Sequence, residues 1–153
     1  MVRNMNNSKI KDRKILENIF CDLNIEYEYI DMDDDLNYLI TFEPGKLKES
    51  IGGISIFMFY SYESKALVTV CNNIYKLKKG DSTLNILNAL NTTNKKLSKG
   101  NVVLDNNDVR YRCLEQAQVV KDITKDIIKD IMFDILAAVL YTYNEIKKIK
   151  NEK

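Results

Sequence analysis

Histidine and tryptophan are absent, proline occurs once and glycine five times. Without His the chain loses the commonest general acid–base, the commonest zinc ligand and every nucleophile arrangement built on an imidazole. So few Gly and Pro exclude a flexible linker and a Gly-rich phosphate cradle. Gly52-Gly53 fits neither the GxxxxGK[ST] nor the GxGxxG spacing and reads as a turn or bulge ahead of a strand. Cysteine is scarce too: Cys21, Cys71 and Cys113 stand far apart, with no CxxC pair. They read as small buried hydrophobes in a reducing compartment.

Charge of one sign is also lacking. Lys and Arg number 23 against 22 Asp and Glu, a formal net charge of +1. A dedicated nucleic-acid or anionic-membrane binder carries a basic domain or stripe instead. No uncharged run approaches the ~18 apolar residues of a membrane span. The nearest, Ile131 to Tyr143, is shorter and contains Asp134. The opening MVRNMNNSKIKD has no apolar core of a secretory signal, so the expected location is cytoplasmic.

What is present suits one domain over residues 1–153: 45% of residues are hydrophobic, enough for a sizeable core. Residues 8–24 predict a helix, with Ile15, Leu16, Ile19, Phe20 and Leu23 on one stripe and Asn24 as a left-handed stop. Ile25, Tyr27 and Tyr29 alternate with Glu26 and Glu28. After an acidic turn, Asp31 to Asp35, the run Leu36 to Phe42 alternates again. Pro44-Gly45 breaks that strand, and Lys46 to Ser50 forms a polar connection. Ile54 to Tyr60 is apolar on both faces, the pattern of a central strand with something packed on each side. Tyr62 to Lys65 makes a hairpin turn into a return strand, Ala66 to Cys71.

Asp81 or Ser82 caps a second helix reaching to about Leu97, with Leu84, Ile86, Leu87, Leu90 and Leu97 on its apolar face. Asn94 falls on that face and Asn91 at its edge. A buried amide must be hydrogen-bonded, so both are expected to be structural, tying helix to strand or loop. Gly100 stops the helix. Asn101 to Asp105 and Val109 to Leu114 form a hairpin across Asn106-Asn107-Asp108. A long helix runs from about Val119 to Lys148. Helix, strands, helix, hairpin, helix is an α+β order, with helices packed on one antiparallel sheet.

Few groups of residues suggest chemistry. Asp31, Asp33, Asp34 and Asp35 could offer hard oxygen ligands to Ca²⁺ or Mg²⁺. An EF-hand loop starting at Asp31 would need Gly at Leu36 and Glu at Phe42, and has neither. A solvated turn that blocks edge pairing is the expectation; a carboxylate-dependent metal enzyme using Asp31–Asp35 is the alternative. The cations around Tyr75 and Tyr111 read as solvated hairpin faces, since no RNP-type aromatic motif accompanies them. No catalytic residue, metal site or cofactor is expected.

The last helix changes character along its length. Val120, Ile123, Ile127, Ile128 and Ile131 make one apolar face, and Lys121, Asp122, Lys125, Asp126 and Lys129 the charged one. Beyond Ile131 the side that was charged carries Met132, Phe133, Leu136, Leu140 and Tyr143. Either a three-layer core buries them, or they form a surface for a client protein or a second copy of the chain.

The stretch Leu84 to Leu114 resembles a segment of YbjN-like bacterial proteins, in which a helix with an LNxxN ending leads into a hairpin. The residues that carry the resemblance are Leu90, Asn91, Asn94, Gly100, Val102, Leu104, Asp105 and Val109. That family is described as regulators of sensory transduction and shares a fold with the class I chaperones of type III secretion, small dimers that bind an extended segment of a client. The resemblance implies an α-β-β-β-α-β-β-α fold and a non-enzymatic, protein-binding role, chaperone-like or regulatory. The segment Ile25 to Ile30 has no place in that pattern.

Overall fold

The computed structural model describes residues 2–42 and 54–151. Pro44-Gly45, the Lys46 to Ser50 connection and Gly52-Gly53 lie outside the described residues. Helix α1 (Val2–Asp22) is followed by strands β1 (Tyr27–Ile30), β2 (Leu36–Phe42), β3 (Ile54–Ser61) and β4 (Ala66–Lys76). Helix α2 (Thr83–Asn94) leads to strands β5 (Asn101–Asp105) and β6 (Asp108–Gln116). A 3₁₀ turn (Val120–Asp122) precedes helix α3 (Lys125–Asn151). The six strands form one antiparallel sheet in the order β1-β2-β3-β4-β6-β5. This is the α+β class expected, with one strand beyond the eight-element pattern. The segment Ile25 to Ile30 supplies it, as the edge strand paired to β2 through Tyr27–Ile40 and Tyr29–Tyr38.

The period of two explains which side is buried. Tyr38 and Ile40 of β2, Ile56 and Met58 of β3, Thr69 and Cys71 of β4, and Tyr111 and Cys113 of β6 share one face through the strand register. All are buried. The helices cover that face: Phe20 of α1 lies edge-on to Tyr38 at 5.1 Å, and Asp134 of α3 meets Tyr111. Asn24 ends α1 with φ 55°, while the Ile25 amide donates to the Phe20 carbonyl. That is the left-handed stop expected at this Asn.

Three expectations need correction. Strand β4 does not stop at Cys71: it bulges at Asn72-Asn73, where Asn73 takes φ 59°, and continues to Lys76. The long last helix is broken near its start. Ile123 is extended, and Thr124 caps α3, its Oγ1 accepting from the Ile127 amide at 3.3 Å. On α2, whose cap is Ser82, the buried face is Ile86, Ala89, Leu90 and Thr93, leaving Leu84 and Leu87 exposed. The Leu-rich spacing placed the stripe one helical step away, because Ala89 and Thr93 carry too little hydrophobicity to mark a face. No helix among the described residues is long and apolar enough to cross a membrane.

Candidate partner-binding groove

Where α3 leaves the 3₁₀ turn, it runs past the C-terminal end of α1 and the chain entering β1. Between them lies an open cavity of about 520 Å³. Met132, Phe133 and Leu136 form its α3 wall, and Leu23, Ile25 and Ile40 the opposite one. Glu26 and Lys129 bring opposite charges to the same cavity. Phe133 is 58% exposed, a large ring held in water at the mouth. The Lys129 ammonium lies 6.0 Å from its centroid, at the far limit of a cation–π contact.

The apolar stripe of α3 is wider than the part of it that is buried. Ile128, Ile131, Ile135, Ala138 and Val139 are buried against the sheet. Met132 and Leu136 stand one position round the helix and are only half covered. The five residues expected as a surface therefore do not act together. Met132, Phe133 and Leu136 line the groove. Tyr143 lies farther along the helix and packs edge-on to Tyr75 at 6.2 Å, where burial raises its pKa. Leu140 is exposed but does not line the groove.

The two asparagines also part company. The Asn94 amide nitrogen donates to the Val102 carbonyl at 3.0 Å, and its oxygen accepts from the Val102 amide at 2.6 Å. Those two groups of β5 point away from β6, towards the open edge of the sheet. The side chain takes the place of a neighbouring strand there and closes the edge. Asn91 is exposed; its backbone carbonyl accepts from the Lys95 amide. It does not tie helix to sheet, so the structural role expected for it is corrected to Asn94 alone.

Beside Asn94 lies a feature that the pattern of hydrophobicity did not flag. Asp134 of α3 is 4% exposed and receives five donors. Its Oδ1 accepts from the Ser98 amide at 2.8 Å and the Ser98 hydroxyl at 3.2 Å. Its Oδ2 accepts from Lys99 N at 3.2 Å, Gly100 N at 2.8 Å and the Tyr111 hydroxyl at 2.6 Å. Burial alone would raise its pKa; the Tyr111 hydroxyl and the three amides outweigh that and hold it below the ordinary carboxylate value. One signal in the sequence could have revealed it: a lone carboxylate three residues after Ile131 and one before Ile135, on the stripe that is otherwise core. With every donor accounted for, the group is an anchor between α3, the 98–100 turn and β6.

The acidic run is used locally. Asp33 Oδ1 accepts from the Asp35 amide at 2.8 Å and the Asn37 side chain at 2.7 Å. Asp35 Oδ1 accepts from the Tyr62 amide at 3.1 Å. Among the described residues no three His, Cys, Asp or Glu side chains are grouped so as to hold a metal ion.

No protein-family model, curated protein or solved structure matches the chain.

Proposed function

We propose that the protein is a non-enzymatic protein-binding module, chaperone-like or regulatory as the YbjN-like resemblance implies, and that the α3 groove receives an apolar segment of a client. One observation carries this: an open apolar cavity with Phe133 at its mouth, the one exposed aromatic ring among the described residues. Exposed apolar surface of this kind costs solubility unless a partner covers it. Burying a Phe or Leu side chain contributes about 1.5–3 kcal/mol, so a few client side chains could sustain a complex. Glu26 and Lys129 would set the polarity with which an extended segment lies in the groove. The reading places the protein in the cytoplasm, where Cys71 and Cys113 remain free buried thiols; Cys21, expected to be buried with them, is exposed instead.

The test uses the separation of Leu136 from Leu140. Leu136→Asp places a charge in the groove, and Leu140→Asp places one on the same helix outside it. The full chain and both variants are used to capture partners, with circular dichroism confirming the fold of each. A protein held by the wild type and by Leu140→Asp, but lost from folded Leu136→Asp, supports the reading. The same proteins on all three contradict it. Adding Ca²⁺ or Mg²⁺ should leave the melting temperature unchanged; a rise that grows with metal concentration would favour the carboxylate enzyme instead.

A further inference from the structure

The sheet has a second face, and none of the three helices among the described residues packs on it. The strand register places a continuous row there, Glu28–Leu39–Phe57–Val70–Arg112 from β1 to β6. A second row, Ile30–Asn37–Phe59–Val68–Leu114, runs beside it. Phe57 and Phe59 are partly exposed with ring centroids 5.4 Å apart, and Leu114 is 60% exposed. The apolar character of Ile54 to Tyr60 on both sides thus has a described partner on only one.

Both rows are self-complementary about β3. A two-fold axis along β3 would lay β1 of one copy over β6 of the other, β2 over β4, and β3 over itself. In the first row Glu28 then meets Arg112, Leu39 meets Val70 and Phe57 meets Phe57. In the second row Ile30 meets Leu114 and Phe59 meets Phe59. The one polar–apolar match is Asn37 on Val68, and the Asn37 amide is already held by Asp33 Oδ1. Arg112 makes a looser ion pair on its own sheet, with Asp105 at 3.6 Å, than Arg110, which holds Asp105 and Asp108 at 2.9 Å, and its guanidinium is the one that the two-fold axis would bring to Glu28. Sheets that pack face to face lie about 10 Å apart with strands nearly aligned, a spacing that these side chains fill.

We infer that this outer face is the interface of a homodimer, a second copy of the chain packing its sheet on the first across a two-fold axis at Phe57 and Phe59. The contact is isologous, so each off-axis pair occurs twice and the association closes at two copies. The surface lies on the opposite side of the sheet from the α3 groove, so neither proposal depends on the other.

Sedimentation velocity on the full chain over a concentration series tests it. The wild type should be dimeric at high micromolar concentration. Phe57→Lys brings two cations together at the axis and should raise the dimer dissociation constant by about thirtyfold or more. Glu28→Arg and Arg112→Glu, both at exposed positions that leave the fold intact, should each weaken the dimer, and the double reversal should restore it. Restoration by the double variant would establish the two-fold pairing even if Phe57→Lys failed to fold. A monomeric wild type, a dimer indifferent to folded Phe57→Lys, or a double reversal no tighter than the single ones would overturn the inference.

Discussion

The Tyr111 hydroxyl donates to Asp134 Oδ2 at 2.6 Å, joining the middle of β6 to α3 inside the core. The same carboxylate gathers the amides of the turn between α2 and β5. A buried charge held by five donors, with no cation paired to it among the described residues, is stable only while all of them stay in place. Asp134→Asn puts an amide donor among donors and should cost about 3–5 kcal/mol, since each orphaned buried group costs about 1–3 kcal/mol. Tyr111→Phe removes one charge-assisted bond and should cost about 1.5–3 kcal/mol. Urea unfolding of the three proteins measures both. An Asp134→Asn variant as stable as the wild type would mean that water reaches the carboxylate.

Gly100 is required by proximity. Its φ is not positive, but a Cβ there would run into the Arg112 carbonyl oxygen and lie 2.6 Å from the Tyr111 ring. Backbone cannot yield as a flexible side chain does. Gly100→Ala should destabilise by at least about 2 kcal/mol, at the upper end of overpacking costs. Gly80→Ala, where open space meets any added Cβ but φ is +95°, should cost less, through backbone strain alone. Equal losses at the two sites would refute the steric account of Gly100.

Asn94→Leu should cost about 1–3 kcal/mol, because it strips both bonds from the Val102 backbone at an edge strand. Amide exchange at Val102 should accelerate with it. A neutral substitution, with Val102 still protected, would show that another group closes this edge.

Stability should be flat between pH 6 and 8. There is no His, and the resolved shifts all move groups away from that window. Asp134 is held low as described, Asp81 by the Lys78 amide and then the Tyr75 hydroxyl, and Glu145 mainly by its bond from Lys148. A carboxylate whose folded pKa is lowered contributes fully above its unfolded value, near 4, and loses that contribution as pH falls through the folded one. On the alkaline side, burial and then the Asp108 charge push the Cys71 thiol up to about 12. Tyr111 is raised by burial and then by its bond to Asp134. Groups raised in the folded state contribute fully below their unfolded values, near 9 for Cys, and lose that contribution as pH rises further. Urea melts from pH 3 to 10.5 should trace a plateau with both shoulders falling. A change above about 1 kcal/mol between pH 6 and 8 would contradict this, because such a slope needs a group that titrates there.

What was legible in the sequence was whatever strong periodicity or turn chemistry imposes. The period of two over Leu36 to Phe42 gave β2, and Asn24 gave the end of α1. Asn94 could be placed because a polar residue on an apolar face must find a partner. The same logic applied to Asp134 on α3, yet its five donors come from a turn and a strand that only the tertiary fold brings near. On α2 the exposed Leu84 and Leu87 outweighed Ala89 and Thr93 in any hydrophobic count, because propensity cannot say which face the sheet approaches. Thr124 went unread as a cap because the stripe of Val120 and Ile123 runs on in register across the break.

Amide hydrogen exchange, compared between the free chain and the chain with its captured partner, tests the central claim most directly. The account predicts slowed exchange at Leu23 to Glu26 and Lys129 to Leu136, the two walls of the groove, with little change from Leu140 onward. Slowing confined to the far half of α3, or to strands remote from the groove, would contradict it.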